Sequence, residues 1–426
     1  MFENSGLSMD QAPPIVVVLR FFLTGTIFGI VASVMLFFYG ETITDFSSAQ
    51  ALALTHTLTL GVMASFMFGA LYQMLPVLCG VAIKKPELLA LRVNYALILG
   101  TIFLIISFFI LNTTLYIIAA FSLAYALFTT AYVMIKKLKT ISHSSSSRGM
   151  LLSLISLVFV AILGLLLLSL RGGFNINIDY LALKSAHFSF GLFGWIALLI
   201  ISVSFQVIEM FYVTPPYNKK YAKYMPQVII SLLFINLIAA IFAPFLLNII
   251  EYIVIVLVAL HASLTLIKLK QKKRAVTDAT ILFWTLGMSS YILFAIAYTL
   301  NLFITIPTTL IAILFAYFAL SIVFAMSYKI VPFLVWFHLN AKGYFEAPMM
   351  HEVAHPKYAR INLYLFIISF ATLLIANYLP FLWQIASFIL FIAFFMLFLM
   401  IHSAIKKYFY ILKTGKKFEF NIPNIN

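Results

Sequence analysis

The chain has 426 residues, 64% of them hydrophobic and only 9% charged, with a mean hydropathy of +1.10. Soluble domains carry roughly a quarter charged residues, so this composition excludes a soluble globular protein. The net charge of +15 is confined to certain loops, which excludes nucleic acid as the partner it was built for.

The first fourteen residues hold Glu3 and Asp10 and no Lys or Arg, so no cleavable signal peptide is expected there. Apolar stretches long enough for a bilayer core of about 30 Å then recur to the end of the chain. Twelve spans are expected, beginning near Ile15, Gln50, Leu91, Leu115, Arg148, Leu183, Pro226, Asn248, Thr277, Ile306, Ala359 and Phe381. The fold class is therefore an all-α polytopic membrane protein, a single transmembrane domain over residues 1–426. Cys79 is the one cysteine, which excludes an internal disulfide and a cysteine-ligated metal.

Basic residues collect in the even-numbered connections. Lys84, Lys85 and Arg92 follow span two, and Lys136, Lys137, Lys139 and Arg148 follow span four. Lys219, Lys220 and Lys223 follow span six, KLKQKKR from Lys268 follows span eight, and Lys342, Lys357 and Arg360 follow span ten. Lys406, Lys407, Lys413, Lys416 and Lys417 close span twelve, whereas Arg171 and Lys184 stand alone on the opposite side. Positive loops stay inside, so both termini are expected in the cytoplasm of an integral inner-membrane protein, bacterial by this reading. The lipid bilayer is the expected partner, with anionic headgroups meeting the basic loops.

A longer pattern overlies the spans. LYQMLPVLCGV from Leu71, SFQVIEMFYV from Ser204 and SYKIVPFLVWF from Ser327 align on Gln73, Gln206 and Lys329, which are 133 and 123 residues apart. A period this long is a bundle of four spans, giving parallel units at about 15–140, 148–274 and 277–410. Pro76 and Pro332 follow the anchor by three residues, where each is expected to free a carbonyl and kink its helix. Glu209 takes that place in the middle unit. It is expected to be solvated or paired near Lys219 and Lys220, or else to mark a proton or ion entry.

Eight histidines remain. His143, His351 and His355 fall in loops, while His338 and His402 lie near inner helix ends; all five read as surface or interface residues. HEVAH, from His351 to His355, has the spacing of a helical metal pair, but its Glu adjoins the first His and no third ligand is near. His56, His187 and His261 lie inside spans, where an imidazole needs a partner and should face the bundle interior. His56 and His187 come early in spans of the same direction, at similar depth. Neutral imidazole is the usual axial ligand of heme iron and a common copper ligand. Two arrangements follow: heme b held by His56 and His187, or copper held by His56, His187 and His261. Arg171 and Lys184 either meet heme propionates or anchor the interface. Met63 and Met67 share roughly one helix face with His56 and read first as packing.

The segment THTLTLGVMASFMFGALYQMLPVLCGV, from Thr55, resembles the second helix of heme-copper oxidase subunit I. YQMLPVLCGVAIKKPELLALR is similar to the hinge and loop of that superfamily's repeated unit, and twelve spans in three parallel units is its plan. NnrS-type nitric-oxide-response membrane proteins resemble the chain in length and in their intramembrane histidines. The resemblance implies heme b and/or copper, and a role in nitric oxide or oxygen response or in respiratory metal handling. Respiratory oxidase components would then be partners. His56 carries over to the low-spin heme ligand position, and His187 matches loosely a helix that supplies a copper ligand. The departures decide the activity: span seven has no histidine pair, and span ten lacks the His-x-His that ligates both hemes. A binuclear oxygen-reducing centre needs about six histidines, so a terminal oxidase is excluded. Two other readings stand beside this one, a transporter of a small solute or metal cofactor and a cofactor-free assembly partner of a respiratory complex.

Overall fold

A hydrocarbon solvent leaves a backbone no partner but itself, and an apolar run of this length satisfies it by coiling into a helix. The computed structural model describes residues 11–174, 179–273 and 276–417. The start of the acidic leader (residues 1–10), Arg274 of the KLKQKKR run, and residues 418–426 lie outside the described residues. Among the described residues, twelve helices are long and apolar enough to cross a membrane. They are α1 (Ile15–Tyr39), α2 (Ala49–Cys79), α3 (Pro86–Phe109), α4 (Thr113–Leu138), α5 (Ser145–Arg171) and α6 (Tyr180–Tyr212). After them come α7 (Lys219–Phe242), α8 (Leu247–Lys270), α9 (Ala279–Leu300), α10 (Thr308–Ala341), α11 (Pro356–Ala376) and α12 (Leu382–Thr414).

Most of these helices begin before the apolar run does. Helix α7 starts at Lys219, not at Pro226, because the Asn218 side chain accepts from the N–H groups of Lys220 and Tyr221. Asn112, Ser144, Asp179 and Asp278 cap α4, α5, α6 and α9 in the same way. Capping residues are polar and belong at the interface, so hydropathy alone places the starts of α4, α5 and α6 two or three residues late and that of α7 seven residues late.

Helices α2, α6 and α10 form the centre. Their apolar segments are 83%, 78% and 78% buried, against 39–67% for the other nine. In each unit the first helix packs against the second and third, and the units meet through α4 with α5, α8 with α9, and α12 with α1. The three units thus follow one another round a closed ring, each contributing its second helix to the middle.

The first two units share more than a sequence motif. Both α2 and α6 contain an eight-residue π-helical segment, Thr57–Ala64 and Phe190–Ala197, separated by the anchor spacing of 133 residues. Gly61 and Gly194 occupy the same place within them. A Cβ at Gly61 would lie 2.5 Å from the Phe28 ring, and one at Gly194 would lie 2.6 Å from Ser156 Oγ, so each glycine lets its unit's first helix approach. Gly80 (φ 65°) and Val213 (φ 53°), again 133 residues apart, end α2 and α6 in the left-handed conformation. The third unit departs at these positions. Tyr317 and Trp336 stand there, and α10 runs unbroken through Pro332 to Ala341.

Pro76 does not kink α2 in mid-course, since the helix ends three residues later and Gly80 N–H donates to Pro76 O at 3.0 Å. Glu209 is not paired with Lys219 or Lys220; its Oε1 accepts from Tyr217 N–H at 2.8 Å and ties down the loop after α6. Lys268 holds the same loop by donating to Pro216 O at 2.8 Å.

Candidate metal-ligating histidine pair

His56 and His187 each stand seven residues beyond the start of their helix, about 10 Å along the axis. His56 immediately precedes the π segment of α2, and His187 precedes that of α6 by three residues. A π segment lets i→i+5 bonds replace i→i+4 bonds, which rotates the side chains on either side out of the α-helical register; such segments recur at functional sites. The outcome here is convergence. The two imidazole centres are 6.4 Å apart with ring planes inclined by 21°.

Each ring is oriented by its Nδ1. That of His56 bonds Leu52 O at 2.8 Å within α2, and that of His187 bonds Val160 O of α5 at 3.1 Å. A carbonyl only accepts, so Nδ1 carries the proton in both rings and the Nε2 lone pair is left free. Neither Nε2 has a protein hydrogen bond among the described residues. A carbonyl that fixes one ring nitrogen in this way orients the other toward whatever the imidazole would ligate.

The spacing provides a test of fit. Metal–nitrogen bonds of about 2.0–2.1 Å, with each ring centre about 1.1 Å beyond its nitrogen, would let two imidazoles share one ion with their centres up to about 6.3 Å apart. The 6.4 Å between ring centres is close to that reach. The surroundings are apolar and tight: the Phe108 ring lies 5.3 Å from His56, and a Cβ at Gly164 would reach to 2.9 Å from His187 Cε1. The Arg171 guanidinium lies 5.6 Å over the other partner's neighbour, the Phe108 ring, at the end of α5. It brings one cation to the mouth of the pair. Lys184 is exposed on α6 and acts on Asp45, whose carboxyl is held below the usual carboxylate range chiefly by the hydroxyl and N–H of Ser47.

His261 is not a third member. It is buried in α8, where Nδ1 meets Tyr221 Oη at 3.0 Å and Nε2 meets Ser204 Oγ at 2.8 Å and Thr265 Oγ1 at 3.3 Å. Tyr217 and Tyr221 cover it at ring separations of 5.6 and 6.2 Å. Both of its nitrogens are therefore engaged by hydroxyls. Among the described residues no group of three His, Cys, Asp or Glu side chains converges, so the three-histidine copper arrangement is not formed. HEVAH is not a helical pair either. Its short helix spans only Met350–Val353, and His355 caps α11 by accepting from Lys357 N–H. His338 is buried, with Nε2 unpartnered, rather than at the surface.

Two polar contacts were not anticipated from the chain. Glu251 in α8 lies beside the Tyr298 side chain of α9. Lys329 pairs with Asp278 at 3.0 Å and lies 5.5 Å over the Tyr212 ring, joining the second unit to the third. Burial alone would raise the Asp278 carboxyl, but the Thr280 hydroxyl and Lys329 outweigh it and hold the group below its ordinary value. A lysine inside an apolar span is the signal for such a partner.

No protein-family model matches this sequence, and no curated protein matches it.

Proposed function

We propose that His56 and His187 are the axial ligands of a b-type heme in a membrane protein of redox or gas response, without the centre that reduces oxygen. The single observation that carries this reading is the pair itself: two imidazoles on different helices, 6.4 Å apart, each with Nδ1 bound to a carbonyl and Nε2 free. Two imidazole nitrogens would suit a group that takes two ligands from the protein, and they are too few for a copper site of three histidines. Arg171 supports the choice, because a cation beside the pair offsets the carboxylates such a group carries.

A heme held by both imidazoles would supply one-electron redox chemistry. The chain's own residues do the rest. Leu52 O and Val160 O fix which nitrogen is offered, Phe108 keeps water from the His56 ring, and Gly164 leaves His187 the room to hold its angle. Resemblance to heme-copper oxidase subunit I and to NnrS-type proteins supports a role in nitric oxide or oxygen response or respiratory metal handling, with oxidase components as partners. Glu209 lends no support to a transporter, since its carboxylate is used to hold a loop.

The test is an optical spectrum of the detergent-purified protein, oxidised and dithionite-reduced, with iron and copper measured on the same sample. A sharp reduced b-type band that disappears in both His56→Ala and His187→Ala is the expected result. Protein from heme-replete cells with neither metal would overturn the reading, and copper without heme would replace the proposed ligand.

A further inference from the structure

The three central helices do not close on one another completely. Where α2, α6 and α10 meet there is a cavity of about 70 Å³, walled by Met63, Met67 and Met74 of α2, Met326 of α10, Val203 of α6 and Phe22 of α1. The methionines of α2 recur at intervals of four and seven residues and so present one face to it. Met63 belongs to the π segment that has His56 at its other end. The only hydroxyl on the wall is Ser327 Oγ, which already donates to Val323 O at 2.7 Å.

We infer that this cavity is a binding site for a small apolar gas, a monatomic or diatomic species. Polarity and size lead to that class together. A water needs two to four polar partners, and the wall offers none that is uncommitted; cavities lined this way stay dry. Organic ligand sites run to about 300–1,000 Å³, and an engineered cavity of about 150 Å³ takes benzene. At about 70 Å³, neither a quinone head nor an aromatic ring fits. Methionine's long, polarizable side chain lines such a space without filling it, and gains dispersion contact with any apolar guest. So small a guest has few atoms with which to bind, which puts its affinity on the order of millimolar. Apolar gases are concentrated in the surrounding hydrocarbon, so a weak site is populated. The inference stands apart from the metal reading, because no lining residue is a proposed ligand of the histidine pair.

The test is crystallography of the full-length protein under xenon pressure, read by anomalous scattering. The expected result is one xenon peak between α2, α6 and α10 in the wild type, which stays in His56→Ala and is lost in Ala319→Leu, where the three added carbons fill the space. Met67→Leu is close to isosteric and should keep the peak, which separates cavity binding from thioether chemistry. Should Ala319→Leu not fold, Val203→Leu supplies the milder filling and should lower the xenon occupancy severalfold. No peak in the wild type, a peak unmoved by either filling variant, or a copper peak on the sulfurs that Met67→Leu abolishes would each overturn the inference.

Discussion

Gly164→Ala is the sharpest probe of the histidine pair, because the structure specifies where its one added carbon goes. That Cβ would sit 2.9 Å from His187 Cε1, while ordinary contact begins at 3.4 Å, so the imidazole has to retreat by about 0.5 Å. A metal–ligand distance tolerates about 0.2 Å, so the retreat breaks the match between the rings or stretches the 3.1 Å bond to Val160 O. Loss of such an orienting contact costs about 10–100-fold in metal-site affinity, and that is the expected weakening. The control is Gly191→Ala on α6, whose Cβ would meet nothing nearer than Val160 Cγ2 at 3.9 Å. Hemin titrated into apoprotein in detergent, followed by the absorption of the bound group, reads both. The helix-propensity gain of Gly→Ala, roughly 1 kcal/mol, offsets part of the overpacking cost of about 1–3 kcal/mol, so the melting temperature should fall by only a few degrees. Equal affinities for Gly164→Ala and wild type, or equal losses in both glycine variants, would refute the reasoning.

His261→Ala should leave the optical spectrum unchanged yet destabilise the protein by about 1–3 kcal/mol, because Ser204 and Tyr221 lose their common partner inside the bundle; thermal melts in detergent read this. Glu209→Ala should cost about 1–2 kcal/mol by orphaning Tyr217 N–H, with Glu209→Gln close to neutral because an acceptor remains. Val213→Gly should stabilise by about 1 kcal/mol, since a β-branched residue at φ 53° carries strain that glycine lacks. The Asp278 carboxyl is depressed in the folded state, so its contribution is complete above its ordinary value near pH 4 and disappears as pH falls through the lower folded value. Melting temperature measured from pH 6 to pH 3 should therefore drop more steeply for the wild type than for Asp278→Asn.

The membrane class and the number of spans were legible because hydrocarbon imposes two rules that the chain must display openly, apolar length and basic loops. The 133-residue repeat was legible in the anchors Gln73 and Gln206, and it reappears in the π segments around Gly61 and Gly194. Helix starts were less legible, since Asn218, Ser144 or Asp179 acts through directed hydrogen bonds that hydropathy does not register. Three histidines within apolar spans were equivalent candidates by residue type, and nothing in their immediate sequence separates His261 from the other two. Rotation about each helix axis separates them, and a nearly uniform apolar pattern leaves that rotation to packing. The chain by itself determined that imidazoles lie in the membrane and that they need partners. Tertiary structure decided the partners: hydroxyls from α6, α7 and α8 for His261, and for His56 and His187 a backbone carbonyl on one nitrogen with the other left free. The physical reason is that burial cost depends on residue type, whereas hydrogen-bond and ligand geometry depend on which helices the ring brings together.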